Sequence, residues 1–191
     1  KGIANPGSSL TFSLTTSGSN RLLIMGGGLQ DSSRSWSDMT YAGSSATQIG
    51  SNFIYTANSA PAQMRYLIAP TTGANNAVFT PSGSITIRGI AINYTGCKQS
   101  GQPDATAQGN GSSSQNVNVV TTNCWMVSVT IGFNNDFDTP GPGYVVPAGV
   151  LTSLRQYYDD GIALADSNGT VGTGNQAYYW DSLNSNNGRI A

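Results

Sequence analysis

Histidine and glutamate are absent from this chain, and lysine occurs only as Lys1 and Lys98. Without histidine there is no Ser-His-Asp or Cys-His arrangement, and zinc sites of the ordinary kind are excluded. All nine acids are aspartates: Asp31, Asp38, Asp104, Asp136, Asp138, Asp159, Asp160, Asp166 and Asp181. Charged residues make up 9 % of the 191, against roughly 25 % in ordinary soluble domains. The charged helix formers Glu and Lys are thus almost missing, and Ser, Thr, Asn and Gly, which favour turns and exposed strand faces, take the polar positions. The net charge of −1 gives no electrostatic case for nucleic acid. Leu22 to Met25 is an apolar run of four and none is longer, far short of the ~18 residues of a membrane span. The chain opens on Lys1 rather than methionine, as expected of a processed or trimmed product.

The remaining chemistry is sparse. Gly26-Gly27-Gly28 follows an apolar run without opening a helix, so it does not read as a phosphate loop. A glycosidase needs two carboxylates across a cleft. The close pairs, Asp136 with Asp138 and Asp159 with Asp160, fall in or beside turns, where aspartate bonds its own backbone. No enzyme activity and no cofactor are expected. The loop Asn134-Asn135-Asp136-Phe137-Asp138-Thr139 offers hard oxygen ligands, which makes Asp136 and Asp138 a calcium candidate. Its alternative reading is an Asx-rich turn before Pro140-Gly141-Pro142. Cys97 and Cys124 form either one disulfide or two buried thiols.

What is present is a period of two. Leu10, Phe12 and Leu14 alternate with polar neighbours, as do Val117 and Val119, and Trp125, Val127, Val129 and Ile131. Leu22-Leu23-Ile24-Met25 reads as a strand buried on both faces, ending at the three glycines. Met39–Tyr41 and Ala46–Ile49 read as a hairpin about Gly43-Ser44-Ser45. Ile85 and Ile87 share one parity, and Ile90, Ile92 and Tyr94 the other, so the pattern predicts a bulge at Gly89. Residues 99–115 read as a surface loop. About a dozen short strands with Gly/Pro/Asn/Ser turns and no amphipathic helix predict an all-β, two-sheet antiparallel sandwich, jelly-roll-like. The expectation is one domain, 1–191, with 1–9 as an extended N-terminal arm.

Aromatic side chains that alternate onto outward faces are candidate glycan platforms or subunit contacts: Trp36, Tyr158, Tyr178 and Trp180, with Tyr41, Tyr157 and Tyr179 nearby in sequence.

Four stretches carry a resemblance: Ser19–Ile24, Met39–Gly43 with Ala46–Gly50, Tyr66–Gly73, and Asn93–Gly96. In order, they resemble a loosely defined family of β-sandwich domains found in bacteriophage virion proteins and bacterial surface or secreted proteins. The resemblance implies a sandwich, a place outside the cell or on a virion surface, and no catalytic residues. The family position held by Cys97 is more usually aliphatic, which makes a chain-specific Cys97–Cys124 bridge a test case. The expected function is a structural component of a virion or extracellular appendage, such as a capsid decoration, tail or fibre domain. Its expected partners are copies of itself or other structural proteins of the same assembly. The alternatives are a carbohydrate-binding domain with glycan partners, and a filament subunit joined by donation of the N-terminal strand.

Overall fold

Alternating apolar residues become strands in pairs here, because each strand hides only one face and needs a second sheet to cover it. The computed structural model describes residues 2–55, 60–110, 115–131, 144–145, 155–159, 162–180 and 188–190. Among them there is no helix, and every sheet is antiparallel. The chain falls into two compact units, Lys1–Ile54 with Asn58–Gln102 and Tyr55–Ala57 with Pro103–Ala191, where the sequence alone led us to expect one domain.

The first unit carries β1 (Gly2–Gly7), β2 (Leu10–Thr16), β3 (Leu22–Leu29), β4 (Trp36–Tyr41), β5 (Ser44–Ser45), β6 (Thr47–Tyr55), β7 (Ala60–Ile68), β8 (Gly73–Pro81) and β9 (Ile85–Tyr94). They form a five-stranded sheet, β1-β9-β3-β7-β6, and a four-stranded sheet, β2-β8-β4-β5. The pairings are nested: β1 with β9, β2 with β8, β3 with β7 and β4 with β5. The two sheets share one core, with Leu23, Met25, Leu29, Ile85 and Ile87 from the first against Leu10, Trp36, Met39, Tyr41, Ala77 and Phe79 from the second. Trp36 meets the Phe79 ring edge-on at 6.4 Å, and Phe12 stacks on Phe79 at 5.6 Å. The buried Tyr41 hydroxyl is satisfied, lying 2.9 Å from the carbonyl of Leu14 and 3.0 Å from that of Gly73. It is therefore a tie between strands and not an outward aromatic.

Three local expectations change. Residues 2–7 are an edge strand paired with β9 and not a detached arm. The glycines after Met25 do not end β3, which runs on to Leu29. A Cβ on Gly27 would come within 2.7 Å of the Trp36 ring, so the missing side chain makes room for the indole. Nor does β9 bulge at Gly89, since its register with β3 is unbroken from Leu22↔Tyr94 to Leu29↔Ile87. Ile85, Ile87 and Gly89 face the sheet-to-sheet core, while Ile90 and Tyr94 are buried on the opposite face. The switch of parity thus marks a strand covered on both sides. Gly89 fits because a Cβ there would meet Leu10 at 2.8 Å and Phe79 at 3.2 Å.

The second unit carries β10 (Gln108–Asn110), β11 (Gln115–Val119), β12 (Val127–Ile131), β13 (Tyr144–Val145), β14 (Arg155–Asp159), β15 (Ile162–Asp166), β16 (Gly174–Trp180) and β17 (Gly188–Ile190). Its sheets are β10-β17-β12-β15-β14 and β11-β16-β13. Met126, Val129, Ile131, Leu164, Val117, Val119 and Val171 are buried. The 99–115 segment, read as loop, contains β10 and the start of β11.

Candidate functional site

A polar chain crosses the open edge of the first unit's core. Gln63 and Arg65 alternate with Ala62 and Met64 on β7, and their register partners Gly27 and Met25 place them on the core-facing side. A cation there needs a partner, because burial of an unpaired charge is strongly unfavourable. Arg65 Nη1 lies 2.6 Å from Asp38 Oδ1, and its Nε donates to Gln63 Oε1 at 2.5 Å. Gln63 Nε2 donates in turn to Gln48 Oε1 at 3.0 Å and to Asn52 Oδ1. Ser45 Oγ donates to the second oxygen of Asp38 at 2.6 Å.

Asn52 is where this chain reaches the surface. It lines a depression of about 250 Å³ together with Ser32, Ser33, Arg34, Ser35, Pro61 and Ser82. The segment before β4 and the β8–β9 turn are tied together, Ser35 N to Ser82 Oγ at 3.0 Å and Ser82 N to Ser35 O at 2.8 Å. Pro61 is held from beneath by the Trp36 indole, whose Nε1 donates to its carbonyl at 3.3 Å. Arg34 Nη1 donates to Ser33 O at 2.9 Å, and its guanidinium lies so close over Gly83 that a Cβ there would be 2.4 Å from Nε. The Asp31 carboxyl is held below its ordinary value, first by the Ser33 hydroxyl, then by the Ser33 amide, and also by the Arg34 charge. The depression offers donors and acceptors in quantity, with the Arg34 guanidinium as the charged group in its lining.

A second polar knot braces a loop of the other unit. Asp104 Oδ2 accepts from Val120 N at 2.6 Å and Thr121 N at 3.2 Å, and Oδ1 accepts from Thr121 Oγ1 at 2.8 Å. These bonds, that of Val120 foremost, hold the Asp104 carboxyl below its ordinary range. The loop leaves Val120 and Trp125 as exposed large apolar residues, at 66 % and 44 %. Trp125 was expected on the core face with Val127 and Val129. Trp125 lies ahead of β12, which begins at Val127, so the alternation of that strand does not reach it, and Met126 between them is buried.

The sequence-derived candidates scatter. Trp36 is 6 % exposed and fills the first unit's core, so it offers no platform. Tyr158 sits on β14 opposite Ala163, Tyr178 on β16 opposite Gln115, and Trp180 opposite Tyr144. Their side chains, and Asp136 and Asp138 altogether, lie outside the described residues. Of the two alternatives for Cys97 and Cys124, the structure has two free thiols, one in each unit. Each has its own neighbour, Thr95 O for Cys97 at 3.9 Å and Thr121 Oγ1 for Cys124 at 3.2 Å. Burial pushes the Cys97 thiol up. Among the described residues no group of three or more His, Cys, Asp or Glu could hold a metal ion, and no helix is long and apolar enough to cross a membrane.

Sequence reasoning passed over Arg34, Asn52, Gln63 and Arg65. Two signals point to them. Arg34 stands alone in a serine run, Ser32-Ser33-Arg34-Ser35, in a chain with few charges. Gln63 and Arg65 share one parity inside an apolar strand, where polar side chains need each other.

No protein-family model, curated protein or solved structure matches this chain.

Proposed function

We propose that this chain is a structural component of a virion or an extracellular appendage, such as a capsid decoration, tail or fibre domain. It acts by packing against copies of itself or other structural proteins of the same assembly. The observation that carries the reading is the make-up of the exposed strand faces. Thr11, Ser13 and Thr15 alternate outward along β2, and Asn76 stands opposite Ser13 on β8. Short hydroxyl and amide side chains lose less rotamer freedom on burial than Lys, Arg or Glu, so covering such a face costs little of the ordering entropy that opposes association.

The reading takes the first unit as a jelly roll and the chain as a relative of the virion and bacterial-surface sandwich domains. In support, its strand pairs nest as one long hairpin wound over two sheets would place them. All four stretches that carry the resemblance belong to that unit. Electron microscopy of the native chain tests this: ordered oligomers, rings or fibres are expected, and single dispersed chains under all conditions would overturn it.

A second reading, a saccharide-binding domain, is favoured by the depression whose lining includes Asn52, Arg34 and four serines. Donation of the N-terminal strand between subunits is disfavoured, because β1 already occupies an edge of its own sheet.

A further inference from the structure

We infer that β2 is the edge through which two copies of this chain join, by antiparallel pairing of β2 with its counterpart about a two-fold axis at Ser13. The inference rests on the assembly reading and gives that reading a partner and a place. It begins from the ends of the first unit's two sheets, which are β1 and β6 in one and β2 and β5 in the other. An edge strand offers a row of backbone donors and acceptors to any extended chain, and proteins commonly blunt it. β1, β5 and β6 are each blunted. β1 carries Pro6 and a register shift between Ala4 and Gly7. β5 has only two residues. Gly50 turns β6 to a φ of 64°, which breaks its extended run. β2 has none of these devices. Its register with β8 is unbroken from Leu10↔Phe79 to Thr16↔Gly73, and it contains no proline, glycine or charged residue. Among the described residues no strand pairs with its other side.

The backbone shows which residues reach out. Ala42 N donates to Asn76 O at 3.1 Å, so Asn76 turns its peptide groups toward β4 and away from β2. Its register partner Ser13 is then in a non-hydrogen-bonded pair, and directs its own N–H and C=O to the open side. By alternation Thr11 and Thr15 do the same. Thr11, Ser13 and Thr15 are exposed, as are Ser8 and Ser9 before the strand and residues 17–20 after it. The occupant of such an edge is an extended strand, and β2 complements itself. A two-fold axis at Ser13 gives the register in which all the outward residues exchange bonds, Ser13 with its own counterpart and Thr11 with Thr15 across the axis. Phe12 then faces Leu14 in the closer, non-hydrogen-bonded pair. Both are half-buried against the core, so pairing covers apolar surface they still expose. No like charges meet, because β2 and residues 8–9 and 17–20 beside it carry none.

The test uses the full chain. Sedimentation equilibrium is expected to show a dimer as the first associated species. Amide hydrogen exchange is expected to show Thr11, Ser13 and Thr15 protected in it and losing that protection on dilution. Ser13→Lys and Ser13→Asp each set like charges opposite one another across the axis, which opposes pairing. Each alone is expected to weaken self-association by about fivefold or more, with its thermal midpoint at low concentration unchanged. Mixed in equal amounts, the two variants set lysine opposite aspartate and are expected to recover the dimer, which a merely misfolded variant would not do. Ser44→Lys, on the short edge β5, is expected to leave the dimer as it is. An oligomer that forms equally well with Ser13→Lys, or in which the Thr11, Ser13 and Thr15 amides exchange freely, overturns the inference and leaves the assembly reading standing. A chain that stays monomeric overturns the inference too, and if it also binds no partner protein the assembly reading falls with it.

Discussion

Arg65 Nη1 lies 2.6 Å from Asp38 Oδ1, joining β7 of the five-stranded sheet to β4 of the four-stranded sheet. The cation is nearly buried, whereas the Asp38 side chain is about one-third exposed at 34 %. Removing the anion strands a charge in the interior, which is the damaging half of such a pair. Asp38→Ala is expected to destabilise the fold by about 2–3 kcal/mol, less than for a fully buried pair. Urea denaturation measures this as a lowered midpoint at constant slope. An unchanged midpoint would show that Arg65 is satisfied by Gln63 and the carbonyls of Ala46 and Ser37 alone.

Gly89 is a packing glycine. Its added Cβ would sit 2.8 Å from Leu10 and 3.2 Å from Phe79, both in the core. Gly89→Ala is expected to cost about 1–3 kcal/mol by overpacking, also read by denaturation. A bulge glycine facing open space would tolerate the change, so a neutral result contradicts the regular register of β9.

The thiols give a chemical check. Two titratable thiols per chain are expected in the unreduced protein. Because burial disfavours its thiolate, Cys97 is expected to alkylate more slowly than an unstructured cysteine at neutral pH, and to reach that rate on unfolding. Mass spectrometry of the alkylated chain decides both points, and a bridged product would contradict the structure.

Asp104 carries the pH dependence of the exposed loop. Its carboxyl is lowered from an ordinary value of 3.8, chiefly by the Val120 amide. The bonds it accepts therefore support the loop at every pH above that value, and the support is lost as pH falls through the lower folded value. The amide resonances of Val120 and Thr121 are expected to titrate together with a midpoint below 3.8, and Asp104→Asn is expected to abolish that titration. A midpoint at or above the ordinary value contradicts the bonding.

The strands themselves were legible because the apolar period of two is a local property. Leu10–Leu14, Val117–Val119 and Val127–Ile131 all fall within strands. Which side of a strand is dry is not local. The parity switch in β9 looks the same for a bulge as for a strand covered first on one face and then on the other, and only the neighbours of Gly89 distinguish them. Trp36 and Trp125 show the same limit in opposite directions. One indole is swallowed by a gap that Gly27 leaves, and the other lies ahead of β12, outside the strand whose alternation pointed it inward. The candidate site was the least legible part. It is assembled from β6, β7, the segment before β4 and the β8–β9 turn, and no stretch of sequence contains more than a fragment of it.

Sedimentation equilibrium of the native chain over a wide concentration range tests the assembly function most directly. The account predicts defined multiples of the 19.8 kDa chain, held by contacts of at least ~1,000 Å². A mass of 19.8 kDa at every concentration, with no partner protein bound, would contradict it.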